Sequence, residues 1–420
     1  PVVSSAIYQP HKIMYPMTTN NNFLITGKKR ILFATVPADG HVNPLTAIAV
    51  HLQKAGYDVR WYTSRNYEEK IKALGIQHYA LNKAYDLSAG KPEELYPERA
   101  KLTGQVEKLK FDMEHGFILR GPEYFEDLRE IFKSFPFDLM ICDCLFTAIP
   151  FVRELLLVPV IAIGVLPLTE TSKDLAPMGL ALTPATHFWG RQKQNLLRFV
   201  ADKIMFRKPN RVFNNLLLEY GIRPEGSNLF DVLVRKSTLL LQSGTPGFEY
   251  RRSDLGKNVR FVGPLLPYRS VVKNSNPGWA HIKKEGQKIV LVTQGTIESD
   301  VEKLLVPALE AFKDSKYWLI VTTGGSHTEA LRQRYPQENI SIEDFIPFDE
   351  VMSHADVYVT NGGYGGVLLS IQNNLPMVVA GVHEGKNEIC ARVGYFGLGV
   401  NLKTERPTAD GLKAAVEEVL

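Results

Sequence analysis

Three cysteines, Cys142, Cys144 and Cys390, are all that the 420-residue sequence holds. An odd count excludes a closed disulfide framework, and Cys-Asp-Cys at 142–144 lacks the spacing of a zinc knuckle. Such scarcity suits a reducing, cytoplasmic setting. Apolar runs of about 18 residues without charge are missing, which excludes a transmembrane helix. Charge of one sign is missing too: 49 Lys and Arg against 45 Asp and Glu leave +4, too little to hold nucleic-acid phosphates. One basic and apolar patch, 203–208, reads either as a solvated helix end or as a membrane-surface contact.

Several chemical fingerprints are absent. The first βα loop has no G-x-G-x-x-G, which disfavours a dehydrogenase. Gly27-Lys28 lacks the upstream glycine and following helix of a nucleoside-triphosphate loop. His383-Glu384 has no second His at helical spacing, so no zinc-protease site is present, and Gly325-Ser326 lacks the nucleophile-elbow pattern. No Asp-x-Asp pair or His cluster suggests a metal site.

What is present fits a globular chain of two domains: 45% hydrophobic and 22% charged residues over 420 positions. Residues 1–28, with Pro1, Pro10, Pro16 and Asn20 to Asn22, read as a disordered leader without the order of a secretory signal. An apolar run of strand length over 30–36 precedes Leu45, Ile48, Ala49 and Leu52 at helical spacing. Gly56 ends that helix and 57–62 reads as a strand, so a βαβ unit has 37–41 as its first loop. Charged, helical 66–135, carrying Phe111, His115 and Phe117, reads as a cleft wall. Strands follow at 137–142, 158–163, 239–241 and 259–262, with a Pro-rich loop around Met178. Residues 266–280 form the linker. Beyond it the alternation restarts at 288–292, 318–322 and 340–344. These patterns predict two Rossmann-like α/β domains, 29–265 and 281–420, facing each other across a cleft.

The most informative stretch is 345–392. It reads as an apolar strand from Phe345, a short helix ending at His354, a strand over 356–360, and then Asn361-Gly362-Gly363-Tyr364-Gly365-Gly366 before a helix that stops at Asn373. Glycines between a strand and a helix start let backbone N–H groups approach an anion, and the helix dipole favours negative charge there. Four glycines within five residues also suit a plain tight turn. Thr293-Gln294-Gly295-Thr296, opening the first βα turn of the second half, reads as a β-phosphate contact or an ordinary hydroxyl-capped turn.

The order Phe345, Pro347, Val351-Met352-Ser353-His354, Thr360-Asn361-Gly362-Gly363 and Asn374-Leu375-Pro376 resembles the nucleotide-sugar signature of glycosyltransferase family 1, the UDP-glycosyltransferase-like enzymes. The resemblance implies the GT-B fold and a donor held by Gln294, Gly295, Thr296, Phe345, Pro347, Asn361, Gly362, Gly363, Tyr364, Gly365 and Gly366, with Glu384 and Lys386 facing the sugar. Lys386 reads equally as a surface lysine. Gly40-His41-x-x-Pro44 and Cys142-Asp143-Cys144 match the positions of the family's catalytic His and Asp. By themselves, His41 reads as a helix-start residue and Asp143 as a helix cap. As a dyad, the Asp143 carboxylate orients an imidazole that takes the acceptor proton. Asp39 and Gly40 are expected beside the donor; Phe111, His115, Phe117 and Met178 beside a small aromatic acceptor such as a flavonoid.

Four departures from the signature bear on the donor. Phe345 stands where the family stacks a Trp, Asn361 where it has a His, and Leu369 where a Glu grips the ribose hydroxyls. Gly385-Lys386 stands where an Asp-Gln pair reads glucose. The expectation is an inverting hexosyltransferase without metal or cofactor, using dTDP-rhamnose in preference to UDP-glucose, as a monomer or weak dimer. A nucleotide-sugar epimerase and a non-catalytic nucleotide-sugar binder are the alternatives. Residues 409–420 read as the start of terminal helical structure that the family continues.

Overall fold

In a computed structural model the described residues are 28–226, 228–268, 287–295, 298–383 and 385–420. The expected leader 1–28, except Lys28, and most of the expected linker therefore lie outside the described residues, as do Thr296 and Glu384. The first sheet has strands β1 (Arg30–Ala34), β2 (Asp58–Thr63), β3 (Gln77–Ala80), β4 (Leu139–Asp143), β5 (Val160–Gly164), β6 (Leu239–Gln242) and β7 (Val259–Phe261). They are all parallel, in the order β3-β2-β1-β4-β5-β6-β7. A parallel sheet is covered by helices on both faces, so its strands run apolar without alternation; Ile31, Leu32, Phe33 and Ala34 of β1 are all buried. Phe33 stacks on Trp61 of β2 at 5.0 Å between ring centres.

The second sheet has β8 (Ile289–Thr293), β9 (Trp318–Thr322), β10 (Ile340–Glu343), β11 (Val357–Thr360), β12 (Met377–Val379) and β13 (Gly399–Asn401), ordered β10-β9-β8-β11-β12-β13 and parallel throughout. Successive β8 side chains face opposite ways. Val290 and Val292 pack with Leu309 and Phe312 on one face, Ile289 and Leu291 with Val379 and Leu368 on the other. The C-terminal helix Ala409–Val419 packs Leu412 and Val416 onto the first of these faces.

Some local expectations differ from this architecture. No strand opens at Phe345: β10 ends at Glu343, and Phe345 is exposed ahead of Pro347, which has no N–H to give a ladder. Strands β3 and β13 are edge strands of four and three residues whose side chains are mostly half-exposed, so neither carries a clear apolar pattern. The first helix begins at Asp39, two residues before His41, with Pro44 inside it. An acidic residue in the first turn complements the positive helix end. The helix after β11 begins at Tyr364, so Gly365 and Gly366 belong to its first turn and the connecting loop is only 361–363.

Candidate active site

In each sheet the strand order reverses once, between β1 and β4 and between β8 and β11. At such a reversal the loops after the two strands diverge to opposite faces and leave a crevice at the carboxyl ends. His41 follows β1 and Asp143 ends β4, so the first reversal brings them together across 102 residues of chain, imidazole Nδ1 to carboxylate Oδ1 at 2.8 Å. Asp143 is fully buried and also accepts from the Val36 amide at 2.8 Å and the Leu145 amide at 2.9 Å. These bonds hold the carboxylate in one orientation, and it in turn holds the Nδ1–H tautomer of His41, leaving Nε2 to accept a proton. The His41 side chain is 18% exposed, open enough to meet a substrate. Flanking Cys142 and Cys144 are buried neutral thiols; burial pushes Cys144 up to about 12. Asp39 instead pairs with Lys70 at 3.1 Å on the half-exposed rim. Gly40 faces open space.

The second reversal gathers the other expected residues. Gln294 follows β8, Asn361 follows β11, and the Asn361 amide donates to the Gln294 carbonyl. Gly295 and Gly362 have φ of +80° and +85°, a region that suits glycine. A Cβ on Gly362 would stand 2.4 Å from the Cys390 sulfur. Gly363 caps the helix start in an extended conformation, whereas Gly366 serves packing, since a Cβ there would come 2.7 Å from the Tyr358 hydroxyl. A small cleft lies at these strand ends, lined by Gln294, Asn361, Ala380, Gly381 and Lys386 together with Glu298, Lys303, Leu304 and Glu405. Among the described residues, the buried Gln294 Oε1 has no hydrogen-bond partner.

Sequence reasoning missed Glu298, Lys303 and Glu405. Lys303 bridges both carboxylates, at 3.3 Å to Glu405, and no motif marks residues that meet only through the fold. Phe345 is 68% exposed beside Gly325, a ring free to take a stacked base. Pro347 caps the helix Phe348–Met352. The Tyr364 hydroxyl donates to the Ser243 carbonyl of the first domain at 2.7 Å and accepts from Gln242 at 3.3 Å. Burial raises this phenol above its ordinary range.

The acceptor-side residues divide. Phe111 and His115 stack at 4.2 Å with Tyr96 edge-on to Phe111, and His115 and Phe117 lie on a π-helical turn, Asp112–Ile118, a feature frequent at functional sites. Phe117 packs against the first-domain core. Met178 is 37% exposed, next to Gly179, whose amide donates to Glu388 of the second domain at 2.8 Å.

Residues 135–420 match the family model described as "UDP-glucoronosyl and UDP-glucosyl transferase". The chain belongs to this family. It is 34% identical over 391 residues to 4'-demethylrebeccamycin synthase of Lentzea aerocolonigenes, covering 93% of this chain and 91% of that protein. It is 28% identical to UDP-glucosyltransferase 1 of Beauveria bassiana, covering 95% and 90%. Among solved structures, the kitacinnamycin glycotransferase superposes with a TM-score of 0.69 at 19% identity, covering 93% and 90%. The spinosyn rhamnosyltransferase SpnG, complexed with thymidine diphosphate, superposes at 0.64 and 14%, covering 93% and 91%. As a member of the UDP-glycosyltransferase family, the protein is a GT-B glycosyltransferase that uses a sugar-nucleotide donor, which sets aside the epimerase and the binder. Among the described residues no helix is long and apolar enough to cross a membrane, and no group of three or more His, Cys, Asp or Glu is arranged to hold a metal ion.

Proposed function

We propose that the enzyme moves a hexose, with inversion, onto a hydroxyl of a small aromatic acceptor. The observation that carries this reading is the 2.8 Å contact of His41 with Asp143 at the strand reversal. His41 Nε2 takes the acceptor proton as the acceptor oxygen attacks the anomeric carbon. Asp143 stabilises the imidazolium, and the bond to the nucleotide diphosphate breaks from the opposite face. One direct displacement inverts the anomeric centre. The diphosphate leaves toward the amides at 361–363 and the positive end of the helix Tyr364–Gln372, with Phe345 stacking on the base. Phe111, His115, Phe117 and Met178 form the aromatic acceptor side.

The donor we favour is dTDP-rhamnose. Leu369 is 8% exposed within an apolar cluster that includes Ile346 and Val367, so a ribose 2′-hydroxyl placed there finds no carboxylate. An unsatisfied hydroxyl costs about 1–3 kcal/mol, a penalty that a 2′-deoxyribose escapes. Lys386 in place of an acceptor of hydrogen bonds suits a sugar with fewer hydroxyls. The rival, UDP-glucose, is supported by relatives named UDP-glucosyltransferases. Specificity constants for dTDP-rhamnose, dTDP-glucose and UDP-glucose with one flavonol acceptor separate the two. We expect the dTDP donors to lead by about fivefold to a hundredfold; UDP-glucose ahead of both would overturn the argument from Leu369.

A further inference from the structure

The helix Phe188–Phe199 is amphipathic with its faces reversed. Its buried side chain is Gln194, whose amide donates to the Thr183 carbonyl at 2.9 Å. Its large apolar side chains face water instead: Phe188 is 63% exposed, Trp189 77%, Leu196 62% and Phe199 57%. At about 100° per residue these four fall within one arc of roughly 100°, turned away from Gln194. The π-helical continuation Val200–Met205 adds Ile204, 63% exposed. A continuous apolar ridge of this kind marks an interaction surface.

Its flanking segment is mainly positive, although Lys203 pairs with Asp202 and Lys208 with Glu114. Residues 187–211 contain seven Lys or Arg and one acid, Asp202, a surplus of six where the whole chain has only +4. The remainder of the chain is thus slightly acidic, and the positive charge is concentrated beside the ridge. Trp and Phe over a belt of Lys and Arg is the composition that sinks into the headgroup layer of an anionic bilayer. Isologous pairing with a second copy would set this positive rim against itself, which disfavours a dimer here.

We propose that the ridge from Phe188 to Ile204 docks on an anionic membrane surface. Arg198 donates to the carbonyls of Leu175 and Lys173, so the docked helix is bonded directly to the loop that carries Met178. The proposal depends on neither the donor nor the acceptor assigned above.

Flotation of the full chain with vesicles of phosphatidylcholine, with and without a third of the lipid replaced by phosphatidylglycerol, tests it. Wild-type protein floats with the anionic vesicles and dissociates as salt rises. Trp189→Ser with Phe199→Ser lowers the partition coefficient about tenfold or more. Arg191→Gln with Lys193→Gln lowers it roughly fivefold per charge. All four side chains are exposed, so both variants should melt at the wild-type temperature. Wild-type protein that stays off anionic vesicles, or an apolar variant that floats unchanged, overturns the proposal. A wild-type dimer that the apolar variant dissociates also overturns it, because a second copy then covers the ridge.

Discussion

Arg392 and Glu249 meet across the two domains, guanidinium Nη2 to carboxylate Oε1 at 2.7 Å, with both side chains almost fully buried. Arg392 also donates to Glu388 at 3.1 Å, and Glu388 accepts the amides of Gly179 and Ala181, each at 2.8 Å. Glu249 accepts the Leu168 amide at 3.0 Å. One helix of the second domain, Lys386–Tyr395, is thereby tied at two points to the long loop after β5.

Removing the cation leaves buried Glu388 with backbone donors only and buried Glu249 with the Arg252 guanidinium at 3.9 Å as its remaining countercharge. Arg392→Leu should therefore destabilise the fold by about 3–5 kcal/mol, read by urea unfolding. Arg392→Lys should recover only part, because an ammonium cannot reproduce the guanidinium fork. Stability of the Leu variant within about 1 kcal/mol of wild type would refute the network's role.

His41→Ala should lower kcat on the order of 100-fold or more. The affinity for nucleotide diphosphate, measured by calorimetry, should stay near wild type, since the imidazole binds Asp143 and no donor group is assigned to it. Near-normal turnover at neutral pH removes His41 as the base.

Gly362→Ala combines a left-handed φ with a Cβ 2.4 Å from the Cys390 sulfur. The expected cost is about 1–3 kcal/mol. Cys390→Ala in the same chain relieves the clash and leaves the backbone strain, so the double variant should regain part of the loss. Strictly additive effects in that cycle exclude the contact.

In the proposed reading, diphosphate charge at 361–363 meets backbone amides and a helix N-terminus. Transfer should persist in excess EDTA at close to the untreated rate. Inhibition that Mg²⁺ or Mn²⁺ reverses contradicts this.

The thiols give a pH test. Burial pushes Cys144 and Cys390 up to about 12 and also raises Cys142, against about 8.5 in an unfolded chain. The unfolded state therefore loses these protons first, and stability falls as pH climbs from about 8.5 towards 12. At pH 8 a thiol reagent should find none of the three cysteines in native protein and all three in denaturant. Rapid native labelling would show that they are accessible.

The sequence alone determined the α/β alternation, the two-domain division of strands and, by resemblance, the family, because parallel strands buried on both faces leave unbroken apolar runs and because the order and spacing of residues from Phe345 to Pro376, with Gly40-His41, match the family's motifs. Thr360 to Gly363 and Gly40-His41 were legible for that reason. Edge strands β3 and β13 were not: half-exposed, they carry little apolar signal. Only the tertiary structure decided that His41 lies against Asp143, that Tyr364 turns to Ser243, that Lys303 and Glu405 line one pocket with Gln294 and Asn361, and that Gln194 faces inward while Trp189 faces water. Each is a pairing of residues far apart in the chain or a choice of helix face. Neither follows from local propensity, since both are fixed by which surfaces remain once the two sheets are covered.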